Sequence, residues 1–143
     1  MLARTRVRRG AEQGGLGAKF EHLRTIIDAV QQPDRLGVCL DTAHLLEAGY
    51  DLTSAAGCRA VLEQFDDVVG LDRVRVLHVN DSKTPRGSHV DRHEHIGHGH
   101  VSLDAFAVIV RHPGFKNIPK ILETPKADAP DGRPWDAVNL ELL

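Results

Sequence analysis

The sequence predicts an α/β fold: a parallel sheet with helical crossovers, built as a half barrel or a small open sheet. Segments with helical apolar spacing alternate with short apolar runs, in the order expected of strands joined by crossover helices. The strand-like runs are short and β-branched, and read as buried. The length of 143 residues suits one domain by count. A closed eight-stranded βα barrel needs about 250 residues.

The first helix is carried by Phe20, Leu23, Ile26, Ile27 and Val30, with Glu21, Arg24 and Asp28 opposite, and Pro33 ends it. Leu36–Leu40 reads as a buried strand. Thr53 or Ser54 caps a second helix with Cys58, Val61, Leu62, Phe65 and Val69 on its apolar face, and Gly70 stops it. Val74–Val79 is a second strand, followed by a polar stretch from Asn80 to His100. Leu103, Phe106, Ile109 and Val110 mark a third helix closed by His112-Pro113-Gly114. Lys120–Leu122 is a third strand, and Trp135, Val138 and Leu142 suggest a last helix.

Composition narrows the function. Hydrophobic residues at 41% and charged residues at 27% exclude a disordered or fibrous chain. No run approaches the roughly 18 apolar residues of a membrane span, so a soluble, cytoplasmic protein is expected. Cys39 and Cys58 are too few for a disulfide framework and read as buried, reduced thiols. A net charge of −2 is low for a protein that grips nucleic acid by charge alone. Either the partner is no polyanion, or bound metal ions supply the positive charge. Nine histidines are present, and His89, His93, His95, His98 and His100 fall close together.

In parallel α/β folds functional groups gather at the carboxyl ends of strands. Each predicted strand ends in residues able to bind metal: Asp41 and His44, then His78, Asn80 and Asp81, then Glu123. Asp91 and His93, two apart, face the same side of an extended chain about 7 Å apart. Carboxylate with imidazole suits zinc or another borderline divalent ion. The same residues can serve plainer roles. A strand-end Asp can be a cap or turn residue, His22 and His112 read as surface or capping groups, and His89, His95, His98 and His100 as solvated loop residues.

Three strings, GVCLDTAHLLEAGYD (Gly37–Asp51), LHVNDSKTPRGSHVDRHEHIGHGHVSLDAF (Leu77–Phe106) and IPKILET (Ile118–Thr124), resemble the endonuclease IV family of zinc-dependent apurinic/apyrimidinic endonucleases. GLGAKFEHLRTIIDAV (Gly15–Val30) resembles the preceding helix of that family. The resemblance implies the C-terminal half of a xylose-isomerase-like TIM (β/α)8 barrel, with three zinc ions at its carboxyl-end face. It implies phosphodiester hydrolysis 5′ to abasic sites in duplex DNA, a step of base excision repair. Asp41, His78 and Glu123 are implied to bind one zinc ion and position the attacking hydroxide. His44, Asp91 and His93 are implied to bind another. Asn80 and Asp81 are assigned to orienting imidazole, and Lys83, Arg86 and Ser88 to DNA phosphates.

The departures qualify this. The family completes a third zinc site with two earlier histidines and a glutamate. Val7 takes the place of the glutamate, Glu12 is out of register, and the histidines have no counterpart. His98 and His100 stand where the family has other polar residues. The expectation is therefore a divergent or disordered start over residues 1–14, its Arg4, Arg6, Arg8 and Arg9 having no assigned role, and a partial barrel domain over residues 15–143. It should bind at most two zinc ions and show weak or no activity alone. Open sheet edges should invite a complementing N-terminal half or self-association. The rivals are a sugar-isomerase-like metal enzyme and a zinc-binding remnant that coordinates through Ser88–His100 without catalysis.

Overall fold

The computed structural model describes residues 2–4 and 16–143. Four parallel strands form the sheet: β1 (Leu2–Arg4), β2 (Gly37–Asp41), β3 (Val74–His78) and β6 (Lys120–Ile121), in the order β1-β2-β3-β6. A small antiparallel pair, β4 (Asp81–Ser82) and β5 (His93–Glu94), lies beyond β3. The helices are α1 (Phe20–Ala29), α2 (Thr42–Glu47), α3 (Ala55–Val68), α4 (Leu103–Val110) and α5 (Trp135–Leu142). Parallel neighbours with helical crossovers are the predicted architecture. Among the described residues β1 pairs only with β2 and β6 only with β3, which leaves two edges open.

The helices cover the sheet with the faces their spacing predicts. α1 buries Phe20, Leu23 and Ile27, and α3 buries Cys58, Val61, Leu62 and Phe65. Phe20 joins them, stacking on Tyr50 at 4.1 Å and meeting Phe65 edge-on at 5.1 Å. Lys19 offers α1 no capping side chain, so the Phe20 amide donates to Tyr50 Oη at 3.0 Å. Ser54 caps α3 by accepting from the Gly57 amide at 3.1 Å, and Gly70, at φ 97°, ends it in the left-handed region. Ser102 caps α4 through the Ala105 amide at 3.1 Å. Cys39 and Cys58 are both buried thiols, as expected.

The structure departs from the sequence reading at several points. β1 falls in the stretch expected to be divergent, and three residues are too few to show a period. Arg6, Val7, Arg8, Arg9 and Glu12 lie outside the described residues. α2 has no counterpart in the sequence reading, since six residues make under two turns. Leu103, placed on the apolar face of α4, is half exposed, and so is Leu142 of α5. The buried residue of α5 is polar: Asn139 accepts from the Ile96 amide at 3.0 Å and donates to Thr124 Oγ1 at 3.1 Å. A hydrogen-bonding anchor there replaces the hydrophobic one that apolar spacing suggested.

Candidate metal centre

Strand register assembles the first group. Asp41 at the end of β2 pairs with His78 at the end of β3, and His78 pairs with Ile121 of β6. Glu123 therefore emerges two residues past the same level of the sheet. His78 Nδ1 lies 2.9 Å from Glu123 Oε2 and 3.4 Å from Asp41 Oδ2. One ligand atom from each of Asp41, His78 and Glu123 fits within a span of 4.8 Å. This is the first predicted ligand set, brought together from three separate strand ends.

Asp41 divides its carboxylate between two tasks. Oδ1 accepts from the Ala43 and His44 amides at 3.0 and 3.2 Å, capping α2. Oδ2 accepts from Asn80 Nδ2 at 3.1 Å and faces His78, His44 and His93. Burial pushes this carboxyl up, but the His78 hydrogen bond and the His44 and His93 charges outweigh it and hold it below its ordinary value.

The second predicted set is close by but less tidy. His44 Nε2 and His93 Nε2 lie 3.3 and 3.8 Å from Asp91 Oδ1. Yet the groups compact enough to hold an ion are Asp41 with His44 and His93, and His44 with Asp91 and Glu47. Glu47 was missed in the sequence. The available signal was its position three residues after His44, which puts both on one face of α2. Burial pushes the Glu47 carboxyl up to about 7, against the hydrogen bond from Ser82.

His93 shows its tautomer through its partner. Nδ1 lies 3.1 Å from the Glu123 carbonyl oxygen, which can only accept, so Nδ1 carries a proton and the neutral ring has its lone pair on Nε2. His93 Nε2 and Glu47 Oε2 are buried and make no hydrogen bond among the described residues. Buried polar atoms without partners are costly, and a divalent cation would satisfy both. The donor chemistry agrees, since imidazole nitrogen and carboxylate oxygen together suit borderline divalent metals.

The remaining predicted residues divide. Asn80 does orient a site group, but its target is the Asp41 carboxylate, not an imidazole, and its Oδ1 accepts from the Glu123 amide at 2.7 Å. Among the described residues Asp81 orients no imidazole either. Its carboxylate accepts from the amides of Ser82, Gly97, Gly99 and Val101 at 2.8 to 3.0 Å, folding the loop after β5 around itself. A Cβ at Gly99 would overlap the Ser82 carbonyl and this carboxylate, which is why glycine stands there. Asp91 and Glu123 are partly exposed and open the site to solvent.

Of the residues assigned to phosphate, Lys83 is well exposed and 4.0 Å from Glu94. Arg86 donates to the Gly49 carbonyl at 2.6 Å and lies 3.5 Å from Asp51. Ser88 pairs with Thr84 at 2.8 Å, inside its own loop. Among the described residues no hydrogen bond or ion pair joins these three to the six ligand candidates. Arg86 instead borders an open cleft of about 780 Å³ that contains none of the six. His95, expected in solvent, is buried and stacked on Trp135 at 3.9 Å, with His98 edge-on to the same ring. His112 is a capping group, accepting from the Gly114 amide at 3.2 Å.

A family model described as a xylose isomerase-like TIM barrel matches residues 8–140. The chain belongs to this family. Relatives of this family member include a probable endonuclease 4 of Geotalea daltonii, 53% identical over 134 residues, or 93% of this chain and 46% of that protein. A probable endonuclease 4 of Staphylococcus epidermidis is 50% identical over 90% of this chain and 43% of its own length. The crystal structure of endonuclease IV from Thermus thermophilus superposes with a TM-score of 0.79 at 36% identity, covering 99% of this chain and 47% of that one. This xylose isomerase-like chain thus spans about half the length of the relatives it matches.

Proposed function

We propose that the chain carries part of the active site of a zinc-dependent apurinic/apyrimidinic endonuclease, which hydrolyses the phosphodiester 5′ to abasic sites in duplex DNA during base excision repair. The observation that carries this reading is the meeting of Asp41, His78 and Glu123 from three strand ends. The names of the relatives favour a nuclease over a sugar isomerase. The three separate strand ends favour it over a site confined to the loop. The domain is taken to run over residues 15–143, and the protein to act in the cytoplasm. No helix among the described residues is long and apolar enough to cross a membrane.

Asp41, His78 and Glu123 would hold one zinc ion, and His44, Asp91 and His93 would hold a second. Zinc bound there supplies Lewis acidity, a water of lowered pKa and positive charge toward phosphate. The residues of the chain do the rest. Asn80 fixes the Asp41 carboxylate and the Glu123 backbone in one grip. The Glu123 carbonyl holds His93 in the tautomer that presents Nε2. Glu123, partly exposed, lies on the side from which DNA would approach. Lys83, more exposed than Arg86, would meet a backbone phosphate.

A four-stranded sheet with two open edges and half the length of its relatives should need a complementing half-barrel, or a second copy, for full activity. The test is incision of a duplex carrying one abasic site, with zinc, by the chain alone and with the N-terminal half of a relative. Incision 5′ to the site in the mixture, with little from the chain alone, is the expected result. Rapid incision by the chain alone overturns the need for a partner. No incision and no preference for abasic over intact duplex in either arm overturns the function.

A further inference from the structure

Glu47 is a carboxylate with no surface open to solvent. Oε1 is held firmly: it accepts from Ser82 Oγ at 2.7 Å and from the Arg92 amide at 3.2 Å. Oε2 is buried and has no hydrogen-bond partner among the described residues. A carboxylate so placed is costly unless a donor or a cation meets the second oxygen. The nearest candidates for sharing a cation are named by the geometry. A Glu47 oxygen, a His44 ring nitrogen and an Asp91 oxygen all lie within 4.8 Å of one another. α2 produces this arrangement, because His44 and Glu47 are three residues apart on one helical face.

We propose that Glu47 is a fourth protein ligand of the ion held by His44, Asp91 and His93, a role that rests on the metal-dependent reading above. Two imidazoles and two carboxylates would then give that ion four protein ligands. The Asp41, His78 and Glu123 site keeps three protein ligands and an open position for chemistry.

The experiment titrates the full chain with Co2+, whose visible absorption is intense in four-coordinate sites and weak in higher ones, and then displaces it with Zn2+. The wild-type chain should bind two ions. Glu47→Gln should keep one and bind the other at least about 10-fold more weakly, with a weakened visible band. Glu47→Leu, which fills the same space without a polar group, serves as a second variant, and circular dichroism reports the folding of each. Ser82→Ala removes one of the partners of Oε1, leaves Oε2 untouched, and should leave the band in place. An unchanged second ion in the folded Glu47 variants overturns the proposal, as does an equal loss from Ser82→Ala. Absence of Co2+ binding by the wild-type chain overturns the metal-dependent reading itself.

Discussion

Asn80 Nδ2 donates to Asp41 Oδ2 across 3.1 Å, both side chains buried. Asn80 thereby holds a metal-facing oxygen still, while its own Oδ1 takes the Glu123 amide. Asn80→Ala is expected to weaken zinc binding by about 10- to 100-fold, read by competition with a chelator. Asn80→Asp should be worse, since it sets a second carboxylate against Asp41.

The two predicted sites should empty independently. By elemental analysis, Glu123→Ala is expected to lose one zinc ion and His93→Ala the other. Loss only in His93→Ala would favour a site confined to the loop. Chelator should also lower the melting temperature, because zinc binds only the folded arrangement. At 100 times its Kd a ligand adds about 2.7 kcal/mol.

Asp81 is a folding residue in this structure. It satisfies three backbone amides of the loop after β5 and that of its neighbour Ser82 from a fully buried position. Asp81→Ala is expected to cost about 3 kcal/mol in urea denaturation.

Asn139 anchors α5 to the loop that carries His95 and to Thr124. Asn139→Ala should destabilise the fold by about 2 kcal/mol. It should also shift the emission of Trp135, the one tryptophan of the sequence, to the red as its stack on His95 loosens.

Burial pushes the Cys58 thiol up to about 11. A raised thiol pKa means the folded state holds its proton more tightly. That stabilisation is present below the unfolded value near 9 and is lost as pH rises through about 11. The stability gap between the wild-type chain and Cys58→Ala should therefore narrow between those pH values, in urea denaturation at fixed ionic strength.

Local patterns in the sequence determined the parallel α/β architecture and marked six strand-end and loop residues as candidate ligands, because helical spacing, apolar runs and caps act over a few neighbours. Ser54 caps where its position suggests, and Asp41, His78 and Glu123 follow their strands. Tertiary structure alone decided the rest. Register set Asp41 beside His78, and a six-residue helix turned Glu47 inward. Asn80 faces a carboxylate, Asp81 gathers amides, and His95 lies under Trp135. A buried polar side chain takes its role from whichever partner the fold brings within about 3 Å, and that distance is set by residues far away in the chain.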